Sequence, residues 1–200
     1  MTAAMVENDR VPRRRPWDFL LQAWRELDVP EGWRAEIDGG QIVLVPPPHA
    51  HHNGIADTVQ RTLYRDLPGT LGVYQTLGIH IAPLDKLYVP DLVVMPTELI
   101  AAMDADISDP VDASEALLVV EITSKGNAKD DRTKKLWAYA HAPVPTYLLI
   151  DRFDEHGPTT TLFTEPQNGA YKLSERFPFG EQVRLPDPFG GILDTGAFPG

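Results

Sequence analysis

Hydrophobic residues recur every three or four positions in three segments of the chain. This spacing predicts helices over residues 17–27, 55–67 and 129–141. Alternating or continuous apolar residues predict strands between and after these helices. The predicted strands cover residues 33–37, 41–45, 73–81, 88–95, 117–122 and 145–150, and then 159–165, 170–177 and 182–185.

The order of these elements indicates an α/β domain. The turn Asp38-Gly39-Gly40 predicts that the first two strands form a hairpin. The helix between the strands at 117–122 and 145–150 is long enough for a parallel crossover. The continuous apolar character of 117–122 predicts a central strand covered on both faces. We expect a flexible tail over residues 1–15 and one domain over 16–200: a mixed β-sheet flanked by helices, with an N-terminal hairpin and a C-terminal antiparallel appendage.

Composition narrows the class of protein. The chain has 200 residues, enough for one domain with its own core, and no cysteine. The lack of cysteine excludes a disulfide scaffold, a thiolate-bound metal and a thiol nucleophile, and it fits a cytoplasmic location, which we expect. Neither a signal peptide nor a membrane-spanning segment is predicted. The net charge of −11 argues against a protein that coats nucleic acid without sequence preference.

Two acidic residues occupy unusual positions. Asp91 lies within the apolar strand predicted over 88–95, and Glu121 ends the apolar run of the strand over 117–122. A carboxylate in such a strand loses water, so it needs a partner, a metal ion or a solvent-filled cleft. Either acid alone could simply meet water at a strand end. Two acids on strands of matching character favour a shared divalent cation, because hard cations prefer carboxylate oxygens.

The helix after Glu121 carries a second candidate group. Asp131, Lys135 and Tyr139 are spaced four residues apart and therefore lie on one helical face. Asp131 and Lys135 could form a surface ion pair, and Tyr139 could belong to the core. Because the helix follows Glu121 after a short loop, Lys135 could instead reach a scissile phosphate or a bound water.

Several short motifs occur in a defined order along the chain. They are Arg34-Ala35-Glu36-Ile37-Asp38-Gly39-Gly40, His52, Pro90-Asp91, Val120-Glu121-Ile122-Thr123-Ser124, the series Asp131, Lys135 and Tyr139, Thr146-Tyr147-Leu148-Leu149-Ile150-Asp151, and Gly169-Ala170-Tyr171. Together they resemble the Uma-two family of restriction endonucleases, within the PD-(D/E)XK nuclease superfamily. The resemblance spans about residues 17–198.

This resemblance implies a restriction-endonuclease-like core and a metal-dependent endonuclease that hydrolyses phosphodiester bonds in DNA. Asp91 and Glu121 would be catalytic residues and metal ligands, holding Mg²⁺ or Mn²⁺, and Lys135 would be the catalytic cation. The superfamily places a lysine two residues after Glu121, where this chain has Thr123. The family pattern has its lysine at Lys135 instead, and Lys125 is a less favoured substitute.

Four further residues would support this centre. Glu36 matches a family acid that could line the cleft or complete the metal shell. His52 could bind phosphate, transfer a proton or cap the adjacent helix together with Asn53. Asp131 and Tyr139 complete the supporting set.

Other conspicuous residues have structural interpretations. Asp151 ends a strand and is expected to form a turn or an ion pair with Arg152. The tryptophans at positions 17, 24, 33 and 137 are expected in the core or packed against it. A protein that binds nucleic acid could use such a ring to stack on an extruded base, but the sequence singles none out.

Two other functions fit the same residues. The fold could serve as a non-catalytic nucleic-acid-binding or regulatory module, which Thr123 and the acidic net charge favour. The metal could also act on a small phosphorylated substrate, although the chain has no phosphate-binding glycine loop. The charge is uneven, because residues 124–135 contain five bases and two acids, a local +3. Such a segment fits weak, salt-sensitive DNA binding, and cleavage of both strands would suit a symmetric homodimer.

Overall fold

The computed structural model describes residues 16–104 and 109–199, so the tail predicted over residues 1–15 lies outside the described residues. In chain order the first elements are α1 (Trp17–Arg25), β1 (Arg34–Asp38), β2 (Gln41–Val45), α2 (Ala50–Asp66), β3 (Leu71–Tyr74), β4 (Ile79–Ile81), β5 (Lys86–Tyr88) and β6 (Leu92–Pro96). They are followed by α3 (Thr97–Ala101), β7 (Val111–Asp112), β8 (Leu118–Ile122), α4 (Ala128–Asp130), a π-helical turn (Asp131–Lys135), α5 (Leu136–His141), β9 (Thr146–Asp151), β10 (Thr159–Gln167), β11 (Ala170–Pro178), β12 (Gln182–Arg184) and β13 (Ile192–Asp194). Within these ranges, no helix combines the length and apolar character needed to cross a bilayer.

A six-stranded sheet forms the centre of the fold, in the order β11-β10-β9-β8-β6-β3. β8 and β9 pair in parallel, and the other neighbours pair antiparallel. The helical segment from α4 to α5 makes the crossover that this parallel pair requires. All five residues of β8 are buried, as predicted for a central strand, because α2 packs on one face of the sheet and α5 on the other.

A second sheet lies beside the N-terminal helix, in the order β2-β1-β5-β4-β7. β1 and β2 form the predicted hairpin. α1 packs on this sheet through Leu20, which shares a small core with Ile37 of β1. Because side chains alternate along a strand, Arg34 and Glu36 project from the opposite face of β1 to Ile37.

Pro90 and Asp91 interrupt the segment that the sequence predicts as one strand over residues 88–95. β5 ends at Tyr88 in the second sheet, and β6 begins at Leu92 in the main sheet. Proline has no N–H to donate to a ladder, which favours a break here. Asp91 therefore lies at the junction of the two sheets, just before β6, and the prediction of a strand running through it is wrong.

Other helices and strands also begin or end at residues that differ from the predicted ones. The predicted strand over 73–81 is divided between β3 and β4, which belong to different sheets. α2 begins at Ala50, five residues earlier than predicted, so His52 and Asn53 lie inside it and do not cap it. The C-terminal strands pair antiparallel, as predicted, but β10 and β11 extend the main sheet from β9.

The core prediction for the tryptophans holds for two of the four. Trp17 and Trp24 are partly buried and pack against the core beneath α1. The Trp33 side chain is 41% exposed and that of Trp137 45%, so the prediction of core positions is wrong for these two.

Candidate active site

Asp91 is buried at the junction of the two sheets and accepts three hydrogen bonds. Arg34 Nη1 donates to its Oδ1 at 3.0 Å, and His52 Nε2 donates to its Oδ2 at 2.9 Å. The backbone N–H of Ile122 also donates to Oδ2, at 2.8 Å. Burial alone would raise the pKa of Asp91, but the hydrogen bond from His52 and the charge of Arg34 lower it below its ordinary value. Asp91 is therefore an ionised carboxylate at neutral pH.

Glu121 lies on β8, and only 1% of its surface is exposed. Its Oε1 accepts hydrogen bonds from Lys135 Nζ at 3.0 Å and from the Tyr139 hydroxyl at 2.5 Å. The helical face expected from the spacing of Lys135 and Tyr139 thus meets Glu121. Burial raises the pKa of Glu121 to about 7; the charge of Lys135 opposes this shift, and the charges of Asp91 and Glu36 add to it.

Lys135 links the two sheets through its ammonium group. Besides Glu121, its Nζ donates to Glu36 Oε1 at 3.2 Å, and it lies 3.7 Å from Asp131 Oδ1. Burial alone would lower the pKa of Lys135, but the three surrounding carboxylates raise it well above its ordinary value. Lys135 therefore carries a fixed positive charge at neutral pH and is not a proton acceptor.

β1 supplies Glu36 and Arg34, which lie on the same strand face. Glu36 Oε1 also accepts the Val89 N–H at 3.1 Å, and Arg34 Nη1 donates to the Val89 carbonyl at 3.0 Å. Arg34 is not among the site residues predicted from the sequence. Its position two residues before Glu36 was the available signal, because alternate residues of a strand share a face. The antiparallel pairing of β1 with β5 then brings this face to Val89 and Asp91.

A π-helical turn over Asp131–Lys135 lies between α4 and α5. Such turns occur frequently at functional sites. Asp131 is fully buried, and neither of its carboxylate oxygens has a hydrogen-bond partner among the described residues. Burial raises the pKa of Asp131 to about 8, and the negative charge of Glu121 adds to the shift.

The cluster contains more acidic than basic groups. Its carboxylates are those of Glu36, Asp91, Glu121 and Asp131, and its cations are Arg34 and Lys135. Four negative and two positive groups give a formal charge of −2 if all are ionised. The raised pKa values of Asp131 and Glu121 mean that protons offset part of this excess near pH 7, and a divalent cation that displaced them would supply the counter-charge.

Unused lone pairs identify the oxygens that could bind such a cation. A carboxylate oxygen accepts about two hydrogen bonds. Asp91 Oδ2 and Glu121 Oε1 each already accept two hydrogen bonds. Among the described residues, Asp91 Oδ1 accepts only from Arg34, and Glu121 Oε2 accepts no hydrogen bond. No set of three or more His, Cys, Asp or Glu residues within 16–104 and 109–199 is arranged to hold a metal. Two carboxylates fit Mg²⁺ or Mn²⁺ all the same, because Mg²⁺ usually keeps several waters and binds one or two protein carboxylates.

Thr123, at the superfamily's lysine position, belongs to a different network. Its hydroxyl donates to Asp151 Oδ1 at 3.1 Å and accepts the Arg152 N–H at 3.0 Å. Arg132 donates two hydrogen bonds to Asp151, at 2.6 and 2.9 Å. Of the two roles predicted for Asp151, the turn is present, because the Phe153 N–H donates to Asp151 Oδ1 at 3.1 Å. The predicted ion pair with Arg152 is wrong, since Asp151 pairs with Arg132. The network ties the helical segment to the end of β9.

The basic segment beside Glu121 is largely neutralised. Three of its five bases form ion pairs, namely Arg132, Lys134 and Lys135. Lys125 and Lys129 are exposed, and neither forms an ion pair within the described part of the chain. Lys125 is not part of the carboxylate cluster. The positive charge available to DNA here is smaller than the local +3 of the sequence indicates.

Comparisons with known proteins identify a family and a related fold. The Uma2 (Uma-two) family, described as "Putative restriction endonuclease", matches residues 20–195. No curated protein sequence matches the chain. A crystal structure described as "a putative nuclease belonging to DUF820", from Anabaena variabilis, aligns with a TM-score of 0.68 and 18% sequence identity, covering 90% of this chain and 97% of that one. The structural likeness establishes the shared fold, and because the family match extends over nearly the whole sequence, the chain belongs to the Uma2 family.

Proposed function

We propose that this protein is a metal-dependent endonuclease that hydrolyses phosphodiester bonds in DNA. The observation that carries the proposal is the convergence of Asp91, Glu121 and Lys135 in one buried cluster that retains unused carboxylate lone pairs. The family description and the fold of the structural neighbour support a nuclease. Cleavage of both strands would require two such centres, which a symmetric homodimer would supply.

Asp91 and Glu121 would hold the metal, Mg²⁺ or Mn²⁺, through the oxygens that still have free lone pairs. When bound, such an ion polarises a phosphodiester and lowers the pKa of an attacking water. Arg34 and His52 keep Asp91 ionised and fix its orientation. The Tyr139 hydroxyl occupies Oε1 of Glu121, which leaves Oε2 for a ligand.

Lys135 would act as the catalytic cation. Glu36 and Glu121 hold its ammonium group in place, and the raised pKa of Lys135 keeps it charged. A charge fixed before the reaction stabilises the negative charge that develops on the phosphate, with little cost of reorganisation. Glu36 contributes by positioning Lys135.

A non-catalytic DNA-binding or regulatory module is the second candidate. Thr123 is committed to the network with Asp151, so no lysine occupies the superfamily position. In addition, Asp91 already accepts three hydrogen bonds, and a metal would share this carboxylate with Arg34 and His52. These two observations are what favour a protein that binds DNA without cutting it.

Cleavage of supercoiled plasmid and of single-stranded DNA separates the two candidates. The native protein should cut in Mg²⁺ or Mn²⁺ and not in Ca²⁺ or EDTA, and Asp91→Asn and Glu121→Gln should slow cleavage at least about 100-fold. Asp57→Asn is the matched control, because Asp57 forms an exposed ion pair with Arg61 on α2. Binding without cleavage in any of these metals would favour the module. Cleavage by Glu121→Gln at the native rate would refute the assigned site.

A further inference from the structure

A cavity of about 330 Å³ opens beside the carboxylate cluster. It shares Arg34, His52 and Asp91 with the candidate active site and extends from them to the start of α2 and the loop after β3. This volume lies at the lower end of the range of small-molecule sites, about 300–1,000 Å³. A group bound here would therefore adjoin a phosphodiester held at Asp91.

Aromatic and aliphatic side chains form the walls of this cavity. Trp24 lines it with its ring held in place, because its Nε1 donates to the Ala35 carbonyl at 2.7 Å. Val29 and Val89 add apolar surface. Trp33 lines the same cavity and remains 41% exposed. The walls therefore suit a flat, apolar-faced ligand.

Trp33 differs from the other exposed tryptophan in its ring contacts with the described residues. The Trp137 ring lies 4.1 Å from the His141 ring, and Lys86 Nζ lies 5.8 Å from its centre. No aromatic or cationic group among the described residues makes such a contact with Trp33. Trp33 thus lines the cavity with a partly exposed ring that stacks on none of the described aromatic or cationic groups.

Polar groups with unused hydrogen-bonding capacity lie at the edge of the cavity. The Asn53 amide is exposed and makes no side-chain hydrogen bond to the described residues, and Gln75 Nε2 donates only to Gln60 Oε1. Two side chains that line the cavity each have a buried nitrogen with no hydrogen-bond partner among the described residues. These nitrogens are Arg34 Nε and His52 Nδ1. Thr76, also in the lining, has a φ of 56°, an unusual conformation for a β-branched residue. Strained backbone of this kind clusters at functional sites.

We infer that this cavity binds one unstacked nucleobase of the DNA strand, with a base face on Trp33 and the polar base edge towards Asn53 and Gln75. The inference rests on the proposed function, because the neighbouring Asp91 would then hold the metal that meets the phosphate. Every base has a π-face, so stacking of this kind tolerates any sequence. Extruding a base from a duplex costs energy, and least where the base is already unpaired. The substrate class is therefore single-stranded or locally unpaired DNA.

The test compares two ligands of equal charge. The full-length protein is titrated in EDTA with an oligothymidylate of about 12 nucleotides and with an abasic deoxyribose-phosphate chain of the same length. The native protein should bind the base-containing chain about 5- to 140-fold more tightly, which corresponds to one stacked base. Trp33→Ala should remove most of this preference, whereas Trp137→Ala, the matched exposed tryptophan, should keep it.

A second variant guards against misfolding of Trp33→Ala. Trp33→Phe keeps a ring that can stack and should retain most of the preference, so a loss seen in Trp33→Ala alone reports on the ring and not on misfolding. Equal binding of both chains by the native protein, absence of binding to either, or a preference retained in Trp33→Ala would overturn the inference. Cleavage in Mg²⁺, measured separately on native protein, reports on the proposed function independently of this result.

Discussion

Lys135 Nζ donates to Glu121 Oε1 at 3.0 Å, and both groups are removed from solvent. Replacing Lys135 by alanine would leave the carboxylates of Glu36, Glu121 and Asp131 buried without their shared cation. We expect Lys135→Ala to lower the free energy of unfolding by about 3–5 kcal/mol, the usual cost of breaking a buried ion pair. Urea denaturation in EDTA measures this loss.

Lys134 provides the control for that experiment. It precedes Lys135 in the chain and forms ion pairs with Asp130 and Asp38, but its side chain is 53% exposed. Lys134→Ala should therefore cost less than about 1 kcal/mol. Equal effects of the two substitutions would show that the buried position of Lys135 is not what stabilises the cluster.

The hydrogen bond from Tyr139 to Glu121 is expected to stabilise the fold. Its hydroxyl donates to Glu121 Oε1 at 2.5 Å, and Tyr139→Phe removes that donor while keeping the ring. Hydrogen bonds to charged groups contribute about 1.5–3 kcal/mol, so this substitution should destabilise the protein by about that amount. Tyr147→Phe is the matched control, because the buried hydroxyl of Tyr147 donates at 3.0 Å to the backbone carbonyl of Asp131, which is uncharged. A larger loss in Tyr147→Phe, measured in urea, would contradict the charged character of the Tyr139 bond.

Thr123→Lys places a lysine at the position where the superfamily has one. We expect it to destabilise the fold and not to increase cleavage. Thr123 is fully buried, and its hydroxyl bonds to Asp151 and to the Arg152 N–H. Lysine would overfill this site and break both bonds, so we expect a loss of at least about 2 kcal/mol of unfolding free energy. Thr133→Lys, at an exposed position on the same helical segment, should stay within about 0.5 kcal/mol of native. Recovery of cleavage in the Thr123→Lys, Lys135→Ala double variant would show that the lysine position has not moved.

The raised pKa of Asp131 predicts that the free energy of unfolding depends on pH. Burial raises its pKa to about 8 in the folded chain, so between pH 4 and 8 the folded state holds a proton that the unfolded state releases. The free energy of unfolding should therefore fall as pH rises through this window, by at most about 1.4 kcal/mol per pH unit for one such group. Asp131→Asn removes this contribution and should flatten the profile, measured by urea denaturation in EDTA. A profile as steep as native would mean that other groups, such as Glu121, carry the dependence.

The local part of the site was predictable from the sequence. Spacing alone placed Asp131, Lys135 and Tyr139 on one helical face, and the apolar run before Glu121 indicated a buried strand. Both follow from the fixed periods of helices and strands. The length of the crossover allowed a parallel pairing of β8 with β9, and the structure has that pairing.

Contacts between distant segments were not predictable in the same way. Arg34 and Asp91 are 57 residues apart and meet only because β1 pairs with β5, a pairing that no local pattern specifies. The break at Pro90 carries a signal, since proline cannot join a ladder, but not the information that the chain changes sheet there. The exposed position of Trp33 has no local signal in the sequence either. Hydrophobicity alone would bury that ring.

A crystal soaked in Mn²⁺ tests the central claim most directly. We expect one ion bonded to a carboxylate oxygen of both Asp91 and Glu121, with water completing its shell and with Lys135 still held by Glu36. The anomalous signal of manganese locates the ion without reference to activity. Binding elsewhere in the molecule, or no ion while the contacts of Asp91 with Arg34 and His52 persist, would contradict a metal-dependent centre at this site.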